Sequence, residues 1–434
     1  MKILKEIIKH GLDCGADEVQ VSKILGKSKT TAFENNSLKT LRSDESSAFS
    51  VKTIVDKKMA VVGTNNLSNL KTVVEEAVLL AKNSEKDEFN SFPEDSKNIV
   101  AIEGLKDDTD VSLADTLDAA KELVNLAVKF DPRVVVENAE IEHSDVTCFL
   151  ANSKGVEREE SRSYASFIIM GMATDGKEVS SFDFVGGREV FWNEMNKSLL
   201  EKGKEFANGV VSSLGAKPAP SGKMFALLSP DFSAEFLSYL DSLISARRIQ
   251  ENVSRFKGML NKKVASEVLS IIDSPHKNRS PFSEAFDAEG VPTQKLQIFK
   301  NGFLNKFIYD TYSANKEGCE STGNSFGGTS LGLHAPEIEG TMSLAEMKKI
   351  VDKGVFIKRY SGDINPVSGV CSGVVKGGKY MEKGNFVHSV TDTMINADYF
   401  EMLNNIVAIS FEKEMTFSGP APYILIKDID VIGK

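Results

Sequence analysis

The sequence contains no Cys-x-x-Cys pair. Its four cysteines, Cys14, Cys148, Cys319 and Cys371, lie far apart, which excludes a ribbon-type zinc module and argues against a disulfide framework. Free thiols in a reducing compartment are expected. No uninterrupted apolar run approaches the roughly 20 residues a bilayer-spanning helix needs, so no integral membrane helix is expected. The opening stretch from Met1 to His10 breaks each apolar pair with charge, offering no signal-peptide core; a cytoplasmic protein without membrane contact is the expectation. Basic charge is also in deficit. Lys and Arg number 52 against 62 Asp and Glu, a formal net charge of −10, which opposes the phosphate-neutralising surface that nucleic-acid binding requires.

What is present is an ordinary globular composition, 41% hydrophobic and 26% charged over 434 residues, a length that suits two domains, or three small ones. Leu4, Ile7, Ile8 and Leu12 mark an amphipathic helix that ends near Gly15, and a β-meander of short runs follows to about Gly63. Two further helical stripes run through Leu70, Val73, Val74, Ala77, Val78 and Ala81, and through Leu113, Leu117, Ala120, Val124 and Ala127. Ser112 with Asp115 reads as an N-cap pair, and Asp131-Pro132 as a stop. Strands resume from Val134, with a type I′ hairpin expected at Asp175-Gly176 and a helix over about 191–214. The Pro- and Gly-rich stretch from Gly215 to Gly222 is the expected boundary between residues 1–214 and 223–434. The second half opens with a strand at Met224–Leu228 and a helix over about 231–246, then becomes rich in strands and loops, with a hairpin at Asn301-Gly302 and a short helix capped by Ser343. The expected class is α+β: an N-terminal antiparallel sheet with packed helices, and a C-terminal β-rich domain.

Five strings in the second half appear in one order: Lys263-Val264-Ala265-Ser266-Glu267, Phe286-Asp287-Ala288-Glu289-Gly290-Val291-Pro292-Thr293, the Asn301-Gly302 hairpin, Ser321-Thr322-Gly323-Asn324, and Asn365-Pro366-Val367-Ser368-Gly369. Together they resemble the TldD/PmbA family, also called modulator of DNA gyrase. In the TldD branch, the helix that opens the second domain carries His-Glu-x-x-x-His, and a C-terminal cysteine completes a zinc site. Here that helix offers Leu237, Ser238 and Ser242 at those places, no histidine occurs between His143 and His276, and no cysteine follows Cys371. A hydrolytic zinc needs about three protein ligands and an open position. The resemblance therefore implies the PmbA-like branch, also called TldE: a metal-free subunit of a TldD-type peptidase acting on unfolded peptides, paired with a zinc-bearing TldD-like homologue or with itself as a homodimer.

No catalytic residue, metal ligand or cofactor is expected from the residues themselves. His276, His334, His388, Cys319 and Cys371 form no local ligand pair. Asp287 and Glu289 lie two apart, on one face if the segment is a strand, or else they hold the turn that Gly290 and Pro292 shape. Thr322, Gly323 and Asn324 are the expected peptide-contacting loop, Gly323 allowing close backbone approach and Asn324 bonding a peptide group; the same loop reads equally as a link between a helix and a strand. With Asp287 and Glu289 they make up the expected peptide-binding set. Arg247, Arg248 and Arg255 either hold a carboxylate or are solvated. Two other functions remain open at this stage: a non-enzymatic homodimeric binding or regulatory protein, and a self-sufficient peptidase whose nucleophile and base meet only in space.

Overall fold

The computed structural model describes residues 1–96 and 98–434. The first half contains α1 (Lys2–Asp13), β1 (Glu18–Glu34), β2 (Ser37–Val55), β3 (Lys58–Thr64), α2 (Leu70–Asn83), α3 (Leu113–Phe130), β4 (Val134–Asn152), β5 (Glu157–Ala173), β6 (Asp183–Glu189) and α4 (Trp192–Ser212). The strands form one antiparallel sheet in the order β3-β2-β1-β4-β5-β6. Its four central strands are 17 to 19 residues long, about three times the usual length. Helices cover only their ends. At one end α1 and α2 pack on Val19, Val21, Phe49 and Val51; at the other α3 and α4 pack on Phe33, Ile141, Phe167 and Ile169.

Local chemistry fixes the element ends. Ser112 and Asp115 form a reciprocal capping box at the start of α3, satisfying donors that have no partner inside the helix. Asn35 and Asn36 both take positive φ between β1 and β2, as do Asp56 and Lys57 between β2 and β3, the geometry of type I′ hairpin turns. The hairpin expected at Asp175-Gly176 is different. The Asp175 carboxylate accepts from the N–H groups of Lys177 and Glu178, an Asx-type turn. Only the single bridge Thr174–Val179 follows, and β6 begins at Asp183 opposite Gly171.

The second half runs β7 (Gly222–Leu228), α5 (Pro230–Ile244), α6 (Ala246–Gln250), β8 (Ile271–Asp273), β9 (Leu296–Lys300), β10 (Phe303–Leu304), α7 (Thr311–Glu317), β11 (Ser325–Gly327), β12 (Ser330–Leu331), β13 (Pro336–Ile338) and α8 (Leu344–Ile350). It continues through β14 (Lys353–Ile357), β15 (Arg359–Ile364), β16 (Val370–Lys376), β17 (Lys379–Glu382), β18 (Asn385–Ser389), β19 (Thr393–Asp398), α9 (Tyr399–Asn404), β20 (Ile406–Thr416) and β21 (Gly419–Gly433). A nine-stranded sheet places β15 at one outer edge and β18 at the other, with β7 and β14 its parallel pair. The sheet β10-β9-β8-β13 lies beside it. Asn301 and Gly302 have φ of 50° and 79°, so this expected hairpin forms as a type I′ turn. The fold is α+β, as the sequence implies.

Ion pairs that each contain one buried member join the halves. Asp183 at the start of β6 is 1% exposed and bonds both Lys358 and, at 3.0 Å, Arg359. Arg162 of β5 makes paired 3.0 Å bonds to Glu284, and burial pushes Glu284 up to about 7.

Candidate functional site: a cleft along the helix that opens the second half

Ser229 caps α5 by accepting from Phe232 N–H, with Pro230 in the first turn, where its missing donor costs nothing. Phe232, Phe236, Leu240 and Leu243 turn one face into the core. The opposite face presents Ala234, Ser238, Asp241, Ser242 and Ser245 at helical spacing, and three adjoining cavities use it as their wall. The central one, about 230 Å³, is also lined by Leu333, His334, Pro336 and Gly419. A second, about 570 Å³, extends past Ser242 to Arg247, Arg248 and Thr329. The third, about 310 Å³, extends past Glu235 to Arg359, Tyr360 and Phe417. Ser238 lines all three, so they form one cleft along the helix.

Burial dominates the electrostatics of this wall. It raises the carboxyls of Asp231 and Glu235 and pushes Asp241 up to about 8, against a lowering by the Leu333 N–H that it accepts. At neutral pH Asp241 is therefore largely a carboxylic acid that can donate a hydrogen bond. His334 stacks on Phe326 at 4.9 Å, and its Nε2 lies 2.7 Å from the Gly323 carbonyl. That contact requires the proton on Nε2. Nδ1 is then a buried acceptor without a partner among the described residues, and burial lowers the histidine's pKa, keeping the ring neutral.

None of the five residues expected to contact peptide is among those lining the three cavities. Thr322 Oγ1 accepts from Tyr309 N–H at 2.8 Å. Gly323 has φ of +72°, and a Cβ there would sit 2.3 Å from the Pro292 carbonyl oxygen. Asn324 is 1% exposed and donates to Asp273 at 3.0 Å and to the Gly332 carbonyl at 2.9 Å. Asp273 also accepts from the N–H groups of His334 and Ala335, so the pair Asn324–Asp273 holds the loop before β13 that carries His334 into the cleft. Asp287 accepts from the N–H groups of Glu289, Val291 and Ser325, the turn-holding role weighed above. Glu289 accepts from the backbone and side chain of Thr311. Burial pushes both carboxyls up, and the charge of Glu289 adds to the effect at Asp287.

Arg247 is not simply solvated: it pairs with buried Asp310 at 2.6 Å and covers the Tyr312 ring. Arg255 lies over Phe400, and exposed Arg248 lines the cleft. Two Gly-x-Ser-x-Gly strings run through Ser325 and Ser330. Both serines lie in the β11–β12 ribbon rather than at the strand-to-helix elbow a hydrolase serine needs. Sequence reading missed Asp241 and the role of His334; the polar i, i+3/i+4 stripe on α5 was the available signal for the first, and none existed for the second.

The resemblance places zinc on this helix in the TldD branch, and the residues present here do not fit it. Leu237 is buried in the core, Ser238 and Ser242 are poor zinc ligands, and among the described residues the one group of three metal-capable side chains within mutual reach lies elsewhere, on α1 and α2.

Family models of the PmbA/TldA metallopeptidase match three successive stretches: domain 1 at residues 26–81, the central domain at 106–214 and the C-terminal domain at 221–433. This chain belongs to the PmbA/TldD family. A metalloprotease PmbA homologue from Buchnera aphidicola is 25% identical over 376 residues, 85% of this chain and 82% of the relative. A Thermotoga maritima crystal structure of a proposed modulator of a DNA gyrase superposes with a TM-score of 0.89 at 26% identity, covering 99% of this chain and all of the other. TldE from Thermococcus kodakarensis shares the fold, with a TM-score of 0.90 at 22% identity and 99% coverage of both chains. The PmbA/TldD family is one of peptidases and peptidase-like proteins, which ties the chain to proteolysis.

Proposed function

We propose that this chain is the PmbA/TldE-like subunit of a TldD-type peptidase: it has no catalytic metal and holds an unfolded peptide in the α5 cleft for a zinc-bearing homologue, or within a homodimer. The reading rests on the cleft itself. It occupies the helix where the resemblance puts zinc chemistry, yet offers a protonated Asp241 and the hydroxyls of Ser238 and Ser242. Donors and acceptors of this kind match the alternating C=O and N–H groups of any extended peptide. Phe326 and Phe417, 53% and 37% exposed, give apolar side chains a place to rest. The outer edge of β15, where Ser361, Gly362 and Asp363 are exposed, suits the addition of a peptide strand, which draws affinity from main-chain bonds independent of sequence. The Thr322-Gly323-Asn324 loop supports the cleft through His334.

The test is cleavage of an unfolded fluorescent peptide by the chain alone, by a co-expressed His-Glu-x-x-x-His homologue, and by the two mixed. The chain alone is expected to give no chelator-sensitive cleavage, and the mixture more than the homologue alone. Ser238→Phe, which fills the cleft from an exposed helix face, is expected to weaken peptide binding by about tenfold, some 1.4 kcal/mol, with an unchanged melting temperature. Chelator-sensitive cleavage by this chain alone, or full peptide binding by Ser238→Phe, would overturn the reading.

A further inference from the structure

Far from the cleft, α1 and α2 pack side by side over the first end of the long sheet. His10 lies in the last turn of α1 and Cys14, four residues on, caps its C-terminal end in an αR conformation, so their side chains share a face; Glu75 projects from α2 toward them. His10 Nε2 lies 3.1 Å from Glu75 Oε1 and 3.7 Å from Cys14 Sγ, and all three ligand atoms lie within 4.8 Å of one another. Zinc bound at about 2.0–2.1 Å to nitrogen and oxygen and about 2.3 Å to sulfur would, at tetrahedral angles, set N···O near 3.3 Å and N···S near 3.6 Å. Both separations in the structure are within about 0.2 Å of these edges.

We propose that His10, Cys14 and Glu75 bind one divalent transition-metal ion, zinc by the mixed sulfur, nitrogen and oxygen character of the donors, and that the ion clips α1 to α2. Each residue supplies one ligand, and solvent supplies the fourth. A surface pocket of about 250 Å³ beside His10, lined also by Glu6, Ser68 and Lys71, gives the ion its way in. The donors are already gathered by helix packing, so binding does not have to fold the site. Because the ion binds the folded chain and the unfolded chain separates its ligands, it stabilises the N-terminal layer. Binding deprotonates Cys14, and the proton leaves to solvent.

The site is tested on the full chain after chelator stripping and dialysis, with cobalt(II) titrated as a coloured stand-in for zinc. The expected result is one equivalent per chain, a thiolate-to-cobalt charge-transfer band in the near ultraviolet, displacement by zinc, and a higher melting temperature for the loaded protein. Cys14→Ser is expected to abolish the band. Cys319→Ser, at the exposed cysteine of the other half, is expected to leave it intact. Outer-shell partners of metal ligands are worth roughly 10–100-fold in affinity, so losing a direct ligand in Glu75→Gln is expected to raise Kd by at least that; Glu75 is on the surface, which keeps this variant folded should Cys14→Ser be unstable. Absence of the band, a band that survives Cys14→Ser, or an unchanged Kd in Glu75→Gln would each overturn the proposal.

Discussion

Gly323→Ala is expected to destabilise the protein by about 4 kcal/mol, among the largest effects of a single methyl group. Two causes add. At φ of +72° an L-residue brings its Cβ against backbone, a cost of about 1–2 kcal/mol. The added Cβ would also lie 2.3 Å from the oxygen and 2.9 Å from the carbon of the Pro292 carbonyl, and backbone cannot swing aside as a side chain does. Gly318, at the C-terminal end of α7, has the same φ of +72° with nothing within 4 Å of its would-be Cβ, so Gly318→Ala should cost only the conformational part, about 1 kcal/mol. Urea unfolding of the two variants separates the contributions. Equal losses would show that the close approach to Pro292 is not what fixes this loop. Because the Gly323 carbonyl holds His334, peptide binding per folded molecule should also fall in Gly323→Ala and not in Gly318→Ala; binding unchanged in both would leave the loop a connector with no part in the cleft.

Raising the pH from 5 to 8 is expected to remove about 3 kcal/mol of stability through Asp241, and Asp241→Asn is expected to abolish that loss. Burial lifts the folded-state pKa of Asp241 from the ordinary 3.8 to about 8, so between these values the native state holds a proton that the unfolded chain releases. The contribution is fully present below the unfolded pKa and is lost as the pH rises through this window to about 8. Each unit is worth about 1.4 kcal/mol, and partial contact with water at the cleft reduces the total. Asparagine imitates the neutral acid. Melting temperatures of the two proteins should therefore coincide near pH 5 and diverge upward, with Asp241→Asn the more stable at pH 8. Comparing the pair cancels Glu284 and Asp287, which titrate in both. A constant difference across pH would mean that Asp241 is ionised throughout, and the cleft would then present a negative charge rather than a donor.

Some of this was legible before any tertiary structure. The helices were, because α2, α3 and α5 each bury one face and so print a 3.6-residue period; the capping box at Ser112 and the Asn301-Gly302 turn are local bargains between a few adjacent residues. The absence of zinc ligands on α5 is likewise a matter of residue identity. The long strands were read as short because alternation appears only where one face is buried. Along β2, residues 37–48 are exposed or half-exposed on both faces, so that stretch carries no period, and its extension comes from pairing with β1 residue by residue. The cleft needed the fold for a different reason. The pKa of Asp241 is set by desolvation between α5 and the segment around Leu333, almost a hundred residues away, and the tautomer of His334 is fixed only because its Nε2–H donates to the Gly323 carbonyl. The same holds for His10, Cys14 and Glu75: the sequence places the first two a helical turn apart, but only the packing of α1 against α2 brings the carboxylate to them. Residue types and local periods determined which elements form and which chemistry is missing; proximity, and with it charge state, was decided by packing across the chain.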